Sequence, residues 1–225
     1  VHFTGRAYVL PSRGQQGIPL VSINTNKVEI EVYRVGDRSL ATAITSGNFD
    51  RQLRGYEFEE IKDRTGSRVY TGSLDVTSKL NAEVTVAFPI HEAIGALQPG
   101  AYAMIARPSE ATSETWSEQA TQWFVVSDLG LTALSGDDGL HTFVRSLASA
   151  DPVAGAEVRL VARNNEILAT AKTDDKGYAR FEPGQARGEG GNAPAILVAE
   201  NGDGEYAFLD LTTNAFDLSD RGVRG

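Results

Sequence analysis

The chain of 225 residues has room for one large domain or two smaller ones, and its 41% hydrophobic and 23% charged residues are typical of a folded protein and not of a disordered one. A formal net charge of −9 disfavours nucleic acid or an anionic membrane surface as a partner, because both bind basic surfaces. Cysteine is absent, which excludes disulfides, thiolate metal sites and a cysteine nucleophile.

The chain opens "VHFTGRAYVL", without an initiating methionine or a basic-then-apolar leader. It also contains no apolar run of about 18 residues, the length that a membrane-spanning helix needs. We therefore expect an excised piece of a longer protein.

Alternating apolar and polar residues indicate β-strands along the first half. In "KVEIEVYR" (27–34) the valines and the isoleucine fall on one face and the glutamates and Tyr33 on the other, the pattern of a half-buried strand. Similar runs follow at "SRVYTGSL", "VTVAFPI", "AYAMIARP" and "TQWFVV". Only "PIHEAIGAL", Pro89 to Leu97, has helical spacing, which predicts one or two turns, and the polar "EEIKDRTG" is expected to be a short excursion.

The second half repeats the strand pattern at "GLHTFVRS", "AEVRLVAR", "EILATAKT", "GYARFEP", "AILVAE" and "EYAFLDL". Turn residues separate these runs: "NN" at 164–165, "DDKG" at 174–177 and "NGDG" at 201–204 tolerate or require positive φ. Short strands about ten residues apart are typical of β-sandwiches. The sequence therefore predicts an all-β fold.

One stretch, "TQWFVVSDLGLTALSG" (121–136), places two strand patterns end to end with no hairpin residues between them. We interpret it as a domain junction, with domains at 1–127 and 128–225. Ser127 and Asp128 then form a linker too short for independent tumbling, which would fix the angle between the domains. The alternative is one large sandwich in which a strand bends at this point.

The long stretch from "QWFVVSDLGLTALSGDDGLHTFVRS" to "TDDKGYARFEPG" (122–184) resembles the N-terminal macroglobulin-like domains of bacterial α2-macroglobulins. The segments "VEIEVYRVGDRSL" and "LQPGAYAMIARP" resemble the preceding macroglobulin-like domain, and "EYAFLDLTTNAFDLSDRGVRG" resembles the exit to the next one. This resemblance covers nearly the whole chain. It implies two tandem macroglobulin-like antiparallel β-sandwiches, similar to immunoglobulin and fibronectin type III domains.

The resemblance also implies a function. Family members are periplasmic protease traps, with the parent chain anchored to the inner membrane; a protease cuts a bait region and the domains then collapse around it. The implied partners are adjacent macroglobulin-like domains, host or competitor proteases through the parent, and a cell-wall synthase. Many members carry a Cys-x-Glu-Gln thioester, whereas the single Glu-Gln pair here, in "SEQA" (117–120), has no cysteine beside it.

Other residues suggest metal sites only weakly, and no metal or cofactor is expected. The three histidines, His2, His91 and His141, are too scattered for a helix-spaced pair. Acidic turn residues could supply oxygen ligands to calcium, but they lack the twelve-residue loop with its terminal glutamate, and tight turns require the same residue types. These residues are Asp137, Asp138, Asp174, Asp175, Asn201, Asp203 and Glu205.

Catalytic motifs are weaker still. "RGEGG", Arg187 to Gly191, lacks the Lys-Ser/Thr ending of a phosphate loop and is interpreted as a mobile loop before the next strand. No Gly-x-Ser-x-Gly motif occurs. Glu59 and Glu60 are adjacent, which in a strand would direct them to opposite faces.

The two tryptophans are the candidate contact residues. Trp123, inside "TQWFVV", is predicted to pack in the core or at a domain interface. Trp116 lies in the polar "SEATSETWSEQ" loop (109–119), where it either packs back onto its own sandwich or contacts a neighbour. Together with Ser127 and Asp128, these are the predicted interdomain or partner contacts.

Three hypotheses follow. The first is that the chain forms frame domains, which hold other parts of an α2-macroglobulin in position and perform no catalysis. The second is a tandem binding module whose loops hold a cell-envelope partner. The third is an enzyme, which has no nucleophile, metal set or acid pair to support it.

Overall fold

A computed structural model of the chain describes residues 1–4, 7–10, 17–49, 51–110 and 119–212. It divides into two compact units, Val1–Asp128 and Leu129–Gly225, called unit 1 and unit 2 below. Within the described residues, no helix combines the length and the apolar character needed to cross a membrane.

The described part of unit 1 contains eight strands in two sheets. The strands are β1 (His2–Phe3), β2 (Ala7–Leu10), β3 (Ile18–Ile23), β4 (Lys27–Val35), β5 (Gly66–Asp75), β6 (Glu83–Phe88), β7 (Gly100–Pro108) and β8 (Ala120–Val126). A three-stranded sheet has the order β1-β3-β6, and a five-stranded sheet has the order β2-β8-β7-β4-β5. All pairings are antiparallel except that of β2 with β8, which is parallel.

The core of unit 1 lies between these two sheets. Val28, Ile30 and Val32 of β4 are fully buried and pack with Ile18 and Leu20 of β3, as the alternation in "KVEIEVYR" predicts. The prediction that β4 is only half-buried is wrong, because Glu31 and Tyr33 on its other face are also buried.

A helical layer covers that second face, and its extent was not expected from the sequence. The helices are α1 (Asp37–Thr45) and α2 (Gly55–Glu60), and a π-helical turn, Ile61–Thr65, follows α2 directly. Phe58 of α2 packs edge-on against Tyr33 of β4, with ring centroids 5.5 Å apart. The predicted helix within Pro89–Leu97 is confirmed as α3 (Ile90–Ile94), but the expectation that it was the only one is wrong.

Unit 2 is a smaller sandwich. Its strands are β9 (Leu129–Gly136), β10 (Gly139–Ser146), β11 (Glu157–Ala162), β12 (Ile167–Lys172), β13 (Tyr178–Phe181), β14 (Pro194–Glu200) and β15 (Tyr206–Asp210). One sheet has the order β13-β10-β9 and the other β12-β11-β14-β15, and every pairing is antiparallel. Val144, Val158, Leu160, Phe181 and Leu197 fill the space between them. The predicted all-β fold is confirmed.

The turn between β12 and β13 reverses the chain at "TDDKG". Asp174 Oδ1 accepts hydrogen bonds from the backbone N–H groups of Lys176 (2.8 Å) and Tyr178 (2.9 Å). Gly177 has φ +71°, a left-handed conformation that L-residues rarely adopt. The residue types of this turn are therefore explained by its backbone geometry.

Candidate functional site

The predicted contact residues lie on and after β8. Trp123 is 2% exposed and packs against Phe49 of its own unit, with ring centroids 5.1 Å apart. Ser127 is buried, and its backbone N–H donates to the Leu10 carbonyl at 3.1 Å, whereas Asp128 is half-buried. Trp116 lies outside the described residues. The contact role of these four residues stays a prediction.

The segment between α1 and α2 is attached to β8 beside Trp123. The backbone N–H of Leu53 donates to Thr121 Oγ1 at 2.7 Å, and the Thr121 N–H donates to Gln52 Oε1 at 2.9 Å. Leu53 is 3% exposed. Because these partners are far apart in the sequence, the helical layer is held by tertiary contacts more than by local propensity.

Arg51 connects α2 to the end of α1. Its guanidinium donates to both carboxylate oxygens of Glu57 (2.6 and 3.1 Å), to the Gly47 carbonyl (2.9 Å) and to Asn48. The hydrogen bonds from Arg51 hold the pKa of the Glu57 carboxyl below its usual value, and the backbone N–H of Arg54 contributes in the same direction. The Glu57 carboxylate is therefore ionised at neutral pH, and both of its oxygens accept hydrogen bonds.

We expect Arg51→Met to destabilise unit 1 by about 1 kcal/mol, since hydrogen bonds to charged groups are lost but the side chain is partly exposed and screened. The depressed pKa of Glu57 stabilises the fold above the carboxyl's unfolded pKa, and this contribution disappears as the pH falls through the folded pKa. Urea unfolding at neutral and acidic pH should show a smaller difference between variant and wild type at acidic pH. Arg54→Met is the control: the Arg54 guanidinium makes a long contact to Tyr56 and acts on Glu57 through its charge but donates no hydrogen bond to it, so this variant should change stability less than Arg51→Met.

A small cavity, the helix-side recess, opens between the helical layer and the five-stranded sheet. It has a volume of about 230 Å³, and its buried floor consists of Val35, Leu53, Ile61 and Trp123. Ser39 of α1, Glu60 at the end of α2 and Thr65 of the π-helical turn lie at its more exposed side. The recess thus combines an apolar floor with a polar, acidic rim.

A buried polar group lies deeper on the same face of the sheet. The Tyr33 hydroxyl donates to Glu31 Oε2 at 2.6 Å, and Arg107 donates to the other oxygen of this carboxylate. Burial, followed by the hydrogen bond to Glu31, raises the pKa of Tyr33 to about 12. Tyr33 consequently stays neutral, and this network is structural.

In unit 2, His141 is the one predicted histidine that joins a side-chain cluster. Its Nε2 lies 3.0 Å from Asp138 Oδ1, and its Nδ1 lies 2.9 Å from the Tyr178 hydroxyl. Because a carboxylate only accepts, the neutral ring donates from Nε2 and accepts from Tyr178. The cluster joins the turn between β9 and β10 to β13. His2 and His91 are exposed residues of unit 1.

The hydrogen bond from His141 lowers the pKa of Asp138. We expect His141→Ala to raise that pKa towards its ordinary value, which an NMR titration of the Asp138 side-chain carboxyl would measure. Because the pKa of Asp138 is lower in the folded state, this carboxyl stabilises the fold at pH values above its pKa in the unfolded chain. That contribution is lost as the pH falls through the pKa of the folded state. An unchanged Asp138 pKa in the variant would show that the hydrogen bond does not exist in solution.

The acidic turns do not assemble into a metal site. Across the described residues, no group of three or more His, Cys, Asp or Glu side chains is placed to hold a metal ion. Asn201 Oδ1 accepts hydrogen bonds from the backbone N–H groups of Asp203 (3.1 Å) and Glu205 (2.9 Å), as Asp174 does in its own turn. These side chains are therefore used to form turns.

The structure also places two further sequence candidates, and the glycine-rich segment lies before β14 as expected. Glu59 and Glu60 lie in α2 and not in a strand, because the polar segment around them is helical. "RGEGG" leads into a short 3₁₀ turn, Gly190–Asn192, in which the Gly191 carbonyl accepts from the Asn164 N–H at 2.9 Å. The two glutamates form no acid pair across a groove, and the glycine-rich segment forms no phosphate-binding loop.

Sequence reasoning missed the Arg51–Glu57 contact and the recess. The apolar residues Leu53, Phe58 and Ile61 were the available signal, since all three are buried beneath otherwise polar sequence. The three residues do not form one helical face, because Leu53 lies before α2, which begins at Gly55. A search for regular helical periodicity therefore passes over them.

Two family models together match almost the whole chain. The model described as "Bacterial alpha-2 macroglobulin MG2 domain" matches residues 2–124. The model described as "Bacterial alpha-2-macroglobulin MG3 domain" matches residues 126–225. The first alone covers more than half of the sequence.

Curated relatives are much longer than this chain. Alpha-2-macroglobulin of Escherichia coli (strain K12) is 28% identical over 225 residues, which are 100% of this chain and 13% of the relative. Alpha-2-macroglobulin of Xylella fastidiosa (strain Temecula1) is 27% identical over 100% of this chain and 14% of the relative. The chain thus corresponds to a small part of such a protein.

Solved structures show the same fold. A crystal structure of native E. coli alpha-2-macroglobulin spanning domains NIE-MG1 has a TM-score of 0.70 and 24% identity, covering 94% of this chain and 96% of that one. The trypsin-activated E. coli protein gives a TM-score of 0.74 and 24% identity, covering 99% of this chain and 14% of that one. A Salmonella alpha-2-macroglobulin mutant gives a TM-score of 0.65 at 26% identity, covering 100% of this chain and 12% of that one.

Proposed function

The chain belongs to the bacterial α2-macroglobulin family as a pair of its macroglobulin-like domains, and from this premise we propose that the pair serves as frame domains of a protease-trapping inhibitor. The observation that carries the proposal is the match of two successive family models to two compact sandwiches, each with its own core. Rigid domains of this kind would keep the other domains of the parent in position while another region changes conformation.

In this proposal the trapping chemistry belongs to residues outside this chain. The sequence has no cysteine, so it cannot supply the thiol of a thioester. The side-chain clusters around His141, Arg51 and Glu31 are accounted for by turn formation, helix attachment and core packing. The chain therefore performs no catalysis in this account.

The proposed partners follow from the family. Adjacent macroglobulin-like domains would contact the chain directly, and proteases would meet it through the parent. The proposed location is the periplasm, with the parent anchored to the inner membrane. Fractionation of cells expressing the parent, with detection by an antibody against this chain, tests the location; recovery in the cytoplasmic fraction would contradict it.

A second candidate is a binding module for a cell-envelope protein such as a cell-wall synthase. The helix-side recess favours it, because a frame domain has no need of a cavity with an acidic rim. Retention of a purified synthase on the immobilised chain would support this candidate.

The frame proposal is tested by incubating trypsin with the full-length parent and, in parallel, with this chain. Remaining activity is then measured on a large protein substrate and on a small chromogenic peptide. We expect the parent to reduce trypsin cleavage of the large substrate and to leave cleavage of the small peptide unchanged. The chain alone should change neither activity. Inhibition by the chain alone would overturn the frame proposal, and a parent that protects nothing would overturn the trapping proposal.

A further inference from the structure

The three-stranded sheet of unit 2, β13-β10-β9, has apolar side chains on both of its faces. Leu140 and Val144 of β10 and Phe181 of β13 belong to the core. Because successive side chains of a strand alternate between the two faces, Phe143 of β10 and Tyr178 of β13 lie on the opposite, outer face. The outer face of an antiparallel sheet is commonly polar, so two aromatic rings there are a departure from the usual pattern.

The side chains of this outer face are direct neighbours. Phe143 pairs with Tyr178 across the strands, and their ring centroids lie 5.3 Å apart. The ring centroid of Tyr178 is in turn 6.0 Å from that of His141, and His141 pairs with Leu134 of β9. The rings and the leucine therefore form one continuous row across all three strands.

Solvent reaches this row. Leu134 is 58% exposed, and Phe143 and Tyr178 are half-buried. Leu147, which is 47% exposed, lies over the outer face of β9, because a Cβ added to Gly130 would be 2.9 Å from Leu147 Cδ2. Contiguous exposed apolar surface on a folded protein commonly marks a contact with another molecule. The outer patch is defined as Leu134, His141, Phe143, Leu147 and Tyr178.

Two arginines flank the outer patch on the same face of the sheet. Arg180 of β13 donates to the Asp138 carbonyl oxygen at 2.6 Å and lies 3.4 Å from Glu182. Arg145 of β10 is exposed and donates to the Ala150 carbonyl at 2.9 Å, but it forms no ion pair with any residue that the structure describes. A guanidinium has five N–H donors, so most of those of Arg145 are available to a partner.

The composition of this face favours a protein surface as its partner. Aromatic residues and arginine are enriched at protein–protein interfaces, where lysine and the acidic residues are depleted. An open sheet face also differs from the concave pockets that usually enclose small ligands. Because Arg145 has no carboxylate partner among the described residues, charge complementarity favours a partner surface with acidic side chains.

The parent chain is the most direct source of such a partner. This chain corresponds to 13–14% of the two curated relatives described above, so most of a parent of that length lies outside residues 1–225. A domain of the same polypeptide is tethered, which gives it a high effective concentration at the outer patch.

We propose that the outer patch docks on another domain of the parent chain, at a surface with an apolar centre and acidic side chains opposite Arg145 and Arg180. Leu134, Phe143 and Tyr178 supply the apolar contact. The inference rests on the proposed contact between this chain and adjacent domains, and it does not depend on protease trapping.

Hydroxyl-radical footprinting measures whether the outer patch is covered. Mass spectrometry gives the labelling rates of Leu134, Phe143 and Tyr178 in this chain and in the full-length parent. We expect each rate to be lower by about threefold or more in the parent, because side chains at the centre of an interface are almost fully buried. The measurement does not use trypsin, so its result is independent of the trapping assay.

Two results would overturn the proposal. The first is equal labelling of the outer patch in the chain and the parent; protection elsewhere in the chain would then show that adjacent domains make contact through a different surface. The second is protection that appears only at the higher of two parent concentrations, which would identify a second copy as the partner.

Matched charge variants of the parent test the acidic partner surface. Arg145→Glu should raise the labelling of the outer patch towards its rate in this chain alone, because it places like charges opposite each other. Arg163→Glu is the control, since Arg163 is an exposed residue in the turn between β11 and β12 of the other sheet, and it should leave the protection intact. Thermal unfolding confirms that both variants are folded. Equal labelling of the patch in the two variants would contradict the proposal.

Discussion

Gly177→Ala is expected to destabilise unit 2 by about 3 kcal/mol or more, because the added Cβ meets both a backbone clash and an unfavourable φ. A Cβ at this position would lie 2.3 Å from the Val144 carbonyl oxygen and 3.2 Å from Pro152 Cβ. The carbonyl is fixed in the sandwich, since the Val153 N–H also donates to it at 3.0 Å. The φ of +71° adds the cost of a left-handed alanine.

Gly155→Ala is the matched control. Its φ of +72° is nearly the same, but a Cβ there would have no atom within 4 Å. We expect a cost of about 1 kcal/mol from the backbone conformation alone. Urea unfolding followed by methyl NMR signals of unit 2 separates the two effects, and equal costs for the two variants would show that the Val144 contact does not exist.

Trp123→Ala is expected to destabilise unit 1 by about 3–5 kcal/mol, a large fraction of the stability of a small domain. The ring is 2% exposed and packs on Phe49, so its removal leaves a cavity beneath the helical layer. Trp123→Phe keeps an aromatic ring and removes the indole N–H, which has no acceptor among the described residues, and it should cost much less. Methyl NMR signals of unit 1 during urea unfolding measure both variants.

A cost below about 1 kcal/mol for Trp123→Ala would mean that the helical layer closes over the missing ring, contrary to a close-packed interior. Such a result would also weaken the description of the recess, because its floor includes Trp123.

The strands of unit 2 were readable from the sequence because they are short runs rich in apolar residues that distinctive turn residues separate. "GLHTFVRS" corresponds to β10, Gly139–Ser146, and the acidic turn before Gly177 has the backbone that its residues favour. Where local pattern and turn chemistry agree in this way, sequence reasoning is sufficient.

The helical layer of unit 1 was not readable in the same way. Among the described side chains of α1, Leu40 and Ile44 are apolar and buried, and α2 contributes Phe58. Such short helices gain most of their stability from packing on the sheet. The residues that hold them, such as Thr121 for Leu53, are 68 positions apart in the sequence.

The same layer explains why β4 differed from its predicted half-burial. Glu31 and Tyr33 have the alternation of a solvent-facing strand, but Phe58 of α2 packs on Tyr33, and hydrogen bonds from Arg107 and Tyr33 compensate for the burial of the Glu31 carboxylate. The alternation in a strand shows which of its residues are polar, but it does not show whether another segment of the chain packs on the polar face.

The central claim is that these two sandwiches are frame domains that keep their internal structure while an α2-macroglobulin acts. The most direct measurement is a cryo-EM structure of the full-length parent before and after treatment with trypsin. The account predicts that unit 1 and unit 2, each superposed separately, change by less than about 1 Å in backbone position, as rigid elements do. A change in which strands pair, or a displacement of the helical layer within unit 1 by more than about 2 Å, would contradict this claim.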